Sequence, residues 1–331
     1  MYDVYYTTGG GPWVNAGTDT WVNLWLELIA PKLEVKPVLL IHRNKPRGHE
    51  DFQFPIEAHW HGDDLKKFEK IIKDCRRIHI LHGHYTPIRV IEENKHKIYS
   101  NVIHNSLDHI LLGTHGTDVP LQVHPFSDSQ WEQSINEYAK HSIWVGLYDI
   151  KYKNKNIPNF YEFKHNIPLS NSNKVGFAAR TEARKNPHYM ERVSGYVFTD
   201  SEDFKVMWKN FQRLDLKNVK IYHYDSSFKD KFYNMDWGIS HSAFSYEPFG
   251  YGIFEAVDRG KLPIIHTSWC KELEYPYRAS SKTEFHHIYS KLLETPFEEK
   301  KKWFNVIKSF MIENFSDKDK WMNDLLNIYN I

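Results

Sequence analysis

Two spacings of apolar residues alternate along the first part of the chain. The runs "YDVYYTT" (2–8), "VKPVLLIHR" (35–43), "IHILHGH" (78–84) and "IYSNVIHNS" (98–106) are β-branched, aromatic and short, and they predict buried strands. Between them the apolar positions fall at helical spacing. In "TDTWVNLWLELIAPKL" (18–33), Trp21, Leu24, Trp25, Leu28 and Ile29 share one face, with Thr18 or Asp19 placed to cap it. "DDLKKFEKIIKDCRR" (63–77) and "TPIRVIEENKHK" (86–97) are the next two amphipathic helices. Strands that alternate with helices in this way predict parallel βαβ units.

A polar stretch over 151–174 marks a domain junction, after which the alternation resumes. "KVGFAAR" (174–180), "NVKIYHY" (218–224), "MDWGISHS" (235–242) and "KLPIIHTSW" (261–269) read as strands, and "SEDFKVMWKNFQRL" (201–214) as a helix. The last stretch, 296–331, predicts two amphipathic helices joined at "FSDKDK". The expectation is an α/β chain of two doubly wound domains with a helical tail.

Length and composition agree with this picture and narrow the function little. A chain of 331 residues with 41% hydrophobic and 26% charged residues buries a sizeable core, and its length suggests two domains. Lys+Arg and Asp+Glu nearly cancel, 43 against 42, so net charge names no partner. Cys75 and Cys270 stand far apart without paired spacing, which disfavours a disulfide framework or a zinc site. The N-terminal stretch lacks a basic region followed by an apolar one, and no run reaches the ~18 apolar residues of a membrane span. The expectation is a cytoplasmic protein with no transmembrane segment.

Ligands of doubly wound sheets bind at the carboxyl ends of the strands, so the loops there are where chemistry is sought. "TTGGGPWVNAGTD" links the first strand to the first helix, and its Gly10 and Gly11 allow a backbone to approach a phosphate. It matches neither the dinucleotide fingerprint nor the P-loop, and a tight turn explains it equally well. "GFAARTEARKNP" clusters Arg180, Arg184 and Lys185 just past a strand. A planar guanidinium with a compact ammonium suits a diphosphate, and a solvated basic turn is the plainer reading. "SYEPFGYGIFEAV" (245–257) is a loop that turns into a helix, with Glu247 on the loop and Glu255 about two turns along the helix. Backbone N–H groups at Phe249 and Gly250 share a face there, and the carboxylates can accept from sugar or ribose hydroxyls. Of the many histidines, His104 at a strand end is the best functional candidate, while His79, His82 and His84 fit satisfied core or polar positions better than a metal site.

Taken in order, these motifs resemble the retaining GT-B glycosyltransferases whose second domain carries a Glu-x7-Glu motif. The matching pieces are the glycine loop, "HGHY", "VIHNS", "ARTEARK" and "EPFGYGIFEA", with "MIENFSDKDKWMNDLLNIY" similar to the closing helix of that family. The resemblance implies two Rossmann-like domains facing a cleft. Residues 1–165 would form the acceptor domain, 166–310 the nucleotide-sugar donor domain, and 311–331 a helix packing back on the first. It implies that Arg180 and Lys185 hold the donor diphosphate, that Glu247 contacts the sugar beside Phe249 and Gly250, and that Glu255 binds the ribose. His104 would touch the sugar near the reacting centre, and Gly10 and Gly11 would approach phosphates or acceptor. No metal is implied, and the nucleotide-sugar, expected to be UDP-linked, is a substrate rather than a cofactor. Same-face displacement with the departing phosphate as base is the implied route.

Fold and donor chemistry leave the acceptor open. The compact build and Lys-, Asn-, Ile- and Tyr-rich wording are similar to bacteriophage DNA glycosyltransferases, which implies duplex DNA carrying hydroxymethylated pyrimidines as the acceptor and a host cytoplasm as the setting. The alternatives are a cytoplasmic glycosyltransferase of polysaccharide or glycolipid synthesis, a non-catalytic nucleotide-sugar or nucleic-acid binding module, and a nucleotide-sugar epimerase.

Overall fold

A computed structural model describes residues 1–7, 17–42, 52–62, 64–82, 92–104, 135, 137–147, 155–179, 185–199, 215–223, 228–245 and 247–330. The chain divides into two compact units. The first holds the described residues of 1–104 and 135–159 together with the last helix, and the second those of 160–317.

The first unit is built on β1 (Asp3–Thr7), α1 (Gly17–Leu28), β2 (Pro37–Ile41), β3 (Glu57–Trp60), α2 (Leu65–Lys73), β4 (Ile78–His82), β5 (Ile98–Ile103), β6 (His141–Trp144) and β7 (Lys155–Asn156). Its strands form one parallel sheet in the order β3-β2-β1-β4-β5-β6-β7. Its central strands β1, β4 and β5 are buried on both faces, as is usual in an all-parallel sheet. Strand alternation sends Val4 and Tyr6 to one side, against Phe68 and Ile72 of α2. Tyr5 points to the other side and packs on Trp25 of α1, 4.6 Å between ring centroids.

The helix expected over 18–33 ends at Leu28, because Pro31 cannot continue it, and a short 3-10 turn, Ala30–Lys32, follows. In α2 the side chain of Asp64 caps the first turn by accepting the N–H of Lys67 at 3.1 Å. Lys97 closes the other end, donating to the carbonyls of Ile72 at 2.9 Å and Lys73 at 2.6 Å.

The second unit contains β8 (Val175–Ala178), β9 (Gly195–Thr199), β10 (Val219–His223), α3 (Lys229–Tyr233), β11 (Ile239–Ser242), α4 (Tyr251–Asp258), β12 (Leu262–Ile265), α5 (Lys282–Glu294) and α6 (Phe297–Phe315). Its parallel sheet runs β10-β9-β8-β11-β12. One face packs Phe198, Phe232 and Trp237 together with Ala256 of α4. A side chain at Gly176 would place its Cβ 2.2 Å from the Trp237 ring, so this crossing needs glycine. Asp258, fully buried at the end of α4, accepts the backbone N–H groups of Lys164 at 3.1 Å, His165 at 3.0 Å and Asn166 at 2.8 Å. The polar stretch read as a junction is thereby fastened to the second unit from Lys164 on.

The expected pair of C-terminal helices is present, α6 followed by α7 (Lys318–Tyr329). The break between them matters: α6 belongs to the second unit, whereas α7 belongs to the first. There Trp321 meets Trp21 edge-on at 6.2 Å, and Tyr329 meets Tyr5 at 5.7 Å and His79 at 5.2 Å. The helix expected over 201–214 lies outside the described residues, as does the first part of that expected over 86–97. Both cysteines are buried free thiols. Among the described residues no helix is long and apolar enough to cross a membrane.

A buried polar centre sits below Tyr5. Arg76 grips Asp3 bidentately, Nε to Oδ1 at 2.9 Å and Nη2 to Oδ2 at 2.6 Å. His79, stacked on Tyr5 and hydrogen-bonded to Ser100, lies 3.7 Å from the same carboxylate. Burial pushes the Asp3 carboxyl up, but the nearby His79 ring and the hydrogen bonds of Arg76 together outweigh it and hold it at about 2. A carboxyl depressed on folding stabilises the fold above its unfolded value and loses that contribution as pH falls through the folded one. Asp3→Asn is therefore expected to lower unfolding free energy by about 2 kcal/mol at neutral pH, with the gap to the parent closing as pH falls from about 4 towards 2. Urea unfolding across that range measures it. A gap that stays constant with pH would assign the loss to packing.

Candidate active site in the second unit

Both sheets wind outward from a central strand to one edge and then return to wind the other way. In the second sheet the reversal falls between β8 and β11, the place where a doubly wound sheet opens a crevice at its carboxyl ends. The segment bearing Lys185 follows β8, and the loop bearing Glu247 follows β11.

These two stretches meet through Asn186. It adopts the left-handed conformation, φ 51°, which asparagine tolerates better than most residues, and Pro187 then starts the 3-10 turn Pro187–Met190. Its buried side chain donates from Nδ2 to the carbonyl of Ala243 at 2.8 Å and to Ser245 Oγ at 3.1 Å. Its own carbonyl accepts from Nε2 of His241 at 2.8 Å, across from β11. Burial pulls the His241 imidazole down to about 3, against the pull of that hydrogen bond, so the ring is neutral and Nε2 carries its proton.

With the two loops tied, Lys185 Nζ forms an ion pair with Glu247 Oε2 and lies 4.5 Å from the centre of the Phe244 ring. Only 12% and 16% of the two side chains are exposed. The glutamate loop is rigid on its other side too. Trp269 donates its indole N–H to the carbonyl of Phe249 at 2.9 Å, and the Phe249 ring stacks on Phe254 in the core. Gly250 turns the chain into α4 with φ 82°; a Cβ there would meet Ile253 Cδ1 at 2.9 Å and Glu247 Cγ at 3.0 Å. As the N-cap of α4, Gly250 has no side chain to cap it. The Gly250 carbonyl accepts the helix's first bonds, from the N–H groups of Ile253 and Phe254, leaving those of Tyr251 and Gly252 without an intrahelical acceptor. The helix begins beside the end of β8, since a Cβ on Gly252 would lie 3.9 Å from the Ala178 carbonyl.

Glu255 lies closer to the loop than its spacing suggested. The proline and the left-handed Gly250 delay the helix to Tyr251, so Glu255 sits four residues on, little more than one turn. Its carboxylate is engaged by Lys229, Nζ to Oε1 at 2.7 Å, and by the hydroxyl of Tyr233, 3.4 Å from Oε2.

The structure thus brings Lys185, Glu247, Phe249 and Gly250 together, with Glu255 one turn along. His104 belongs to the first unit, just beyond β5. Its Nε2 donates to the Leu81 carbonyl at 2.8 Å, and its ring faces Trp21 and His82 at 5.2 and 5.6 Å. Gly10, Gly11 and Arg180 lie outside the described residues. Asn186, Lys229, Tyr233 and Trp269 were not anticipated. Only the Asn-Pro pair at 186–187, a turn signal, marks one of them in the sequence.

No protein-family model matches the chain, and no curated protein does either. Solved structures match over essentially its full length. Sucrose-phosphate synthase from Thermosynechococcus elongatus superposes with a TM-score of 0.73 at 13% identity, covering 99% of this chain and 98% of that one. WaaG, a glycosyltransferase involved in lipopolysaccharide biosynthesis, gives 0.62 at 8% identity over 99% of both chains. The catalytic domain of starch synthase IV from Arabidopsis thaliana, bound to ADP and acarbose, gives 0.62 at 11% identity over 99% of this chain and 98% of that one. At such identities the likeness is one of fold. The chain has the GT-B fold, as its sequence motifs led one to expect.

Asn186→Ala is expected to cost about 2–3 kcal/mol of stability, from two buried hydrogen bonds and the strain of a left-handed alanine. Asn186→Gly, which relieves that strain, should recover about 1 kcal/mol of it in urea unfolding. Equal losses in the two variants would mean that the backbone conformation at this position carries no strain.

Proposed function

We propose that the protein is a retaining glycosyltransferase that moves a sugar from a nucleotide-sugar, expected to be UDP-linked, to a hydroxyl acceptor. One observation carries the reading: Lys185 and Glu247, 62 residues apart in sequence, are in contact at the sheet's point of reversal. In a nucleotide-sugar the diphosphate and the sugar hydroxyls are adjacent groups of one molecule. A cation for the first and a carboxylate for the second must therefore lie side by side. The GT-B fold and the Glu-x7-Glu resemblance support the same reading, and the starch synthase domain of that fold was solved with ADP bound.

In this reading Lys185, with Arg180, takes the diphosphate and offsets the negative charge that grows as the bond from the anomeric carbon to the phosphate oxygen breaks. The backbone N–H groups at the start of α4 face the same charge. Glu247 accepts hydrogen bonds from sugar hydroxyls and fixes the ring's orientation. The acceptor oxygen forms its bond to the anomeric carbon on the face the phosphate leaves, and its proton passes to the departing phosphate oxygen. Configuration is retained, and no side chain becomes covalently attached to the sugar.

The test is incubation with UDP-, ADP- and GDP-sugars and a panel of acceptors, read by intact mass. The panel holds duplexes with hydroxymethylcytosine, hydroxymethyluracil or plain cytosine, an oligosaccharide and a lipid-linked saccharide. The sequence-based acceptor, a hydroxymethylated pyrimidine, predicts a gain of one sugar on those duplexes alone. Lys185→Ala and Glu247→Ala are each expected to lower kcat for transfer, or for slow donor hydrolysis, by about 100-fold or more. Undiminished turnover in Glu247→Ala, or interconversion of the donor sugar without transfer or hydrolysis, would overturn the assignment.

A further inference from the structure

The two oxygens of Glu255 are held from one short helix. Lys229 begins α3 and Tyr233 ends it, four residues later, so both side chains project from one face towards α4. Lys229 reaches Oε1 and Tyr233 reaches Oε2. Tyr233 has little freedom. Its ring is buried, lies 5.5 Å from the Trp237 ring, and carries the Arg259 guanidinium at 5.5 Å. Arg259 in turn pairs with Asp230 of the same α3. Burial, reinforced by the Glu255 charge, pushes the Tyr233 hydroxyl well up, which keeps it a hydrogen-bond donor.

Stability alone gives a weak reason for this convergence, since the Lys229 side chain is 38% exposed and that of Glu255 is 20% exposed. Ion pairs of such exposure contribute little to folding. The geometry has a chemical consequence instead. An ionised carboxylate offers about four acceptor positions, two on each oxygen. Among the described residues Lys229 and Tyr233 take one on each, which leaves one on each and fixes the plane in which they lie. Two parallel acceptors of this kind match a vicinal diol, each hydroxyl donating to one oxygen.

We propose that Lys229 and Tyr233 are positioning residues that clamp Glu255 so that its remaining acceptor positions receive both ribose hydroxyls, making the site select ribonucleotides over 2′-deoxyribonucleotides. The inference rests on the glycosyltransferase reading above, together with the ribose-binding role that the sequence resemblance implies for Glu255.

Calorimetric titration of the full-length protein with UDP, ADP and GDP, each beside its 2′-deoxy counterpart, provides the test. The tightest pair is then carried through the variants. The parent is expected to favour the ribonucleotide by about tenfold or more. Glu255→Ala should abolish that preference. Lys229→Met and Tyr233→Phe should each erode it severalfold by weakening the ribonucleotide alone, and Lys229→Arg should keep most of it. A purely structural clamp would weaken both members of the pair equally. If Glu255→Ala removes the preference while Lys229→Met and Tyr233→Phe retain it, the clamp is refuted and the site reading stands. If Glu255→Ala leaves the preference intact, or no nucleotide binds the parent, the site reading falls and the clamp falls with it.

Discussion

A buried asparagine ties together the two loops that carry the candidate site of the second unit. The loops after β8 and β11 are distant in sequence, and sheet pairing brings only their strands together. Asn186 joins the loops themselves, with its side chain on Ala243 and Ser245 and its carbonyl on His241. A buried amide is costly unless hydrogen-bonded, so the bridge forms in one geometry or not at all. The neutral His241 on its far side stays a donor through the physiological pH range.

The Lys185–Glu247 pair stands beside that bridge. Lys185 immediately precedes Asn186, and Glu247 lies two residues past Ser245, so tying 186 to 245 brings the cation close to the carboxylate. Partly buried charges of this kind persist because each compensates the other. The loop after β12 braces the opposite side. Arg278 donates to the carbonyls of Trp269, Cys270 and Leu273, and the Trp269 so held fixes the Phe249 carbonyl. The carboxylate-bearing loop is thus supported from β8, from β12 and by its own Gly250.

Much of the architecture was legible because parallel strands buried on both faces are continuous apolar runs. "VKPVLLIHR" and "KLPIIHTSW" could hardly have been anything else. β3, "EAHW", was not singled out: it is an edge strand, partly exposed and carrying charge. β7 is only two residues long, and β9 is a short run beginning at a glycine. α5 was passed over although Ser281 caps it, its hydroxyl accepting the Glu284 N–H at 3.2 Å, while the Glu284 carboxylate accepts from the N–H and hydroxyl of Ser280. In the site, local spacing pointed to Lys185, Glu247 and Glu255 as candidates. Their neighbours come from tertiary contact. Nothing near Lys229 or Tyr233 in sequence signals that they converge on Glu255, and only the fold places Trp269 under Phe249.

The central claim is that Lys185 and Glu247 hold adjacent parts of one nucleotide-sugar. It is tested most directly by calorimetric affinities of the parent, Lys185→Ala and Glu247→Ala for a nucleoside diphosphate and for the matching nucleotide-sugar. The account predicts that Lys185→Ala weakens both ligands by about tenfold or more, through loss of a charge-assisted contact to the diphosphate. It predicts that Glu247→Ala weakens the nucleotide-sugar alone. Glu247→Ala weakening both ligands alike, or neither, would contradict it.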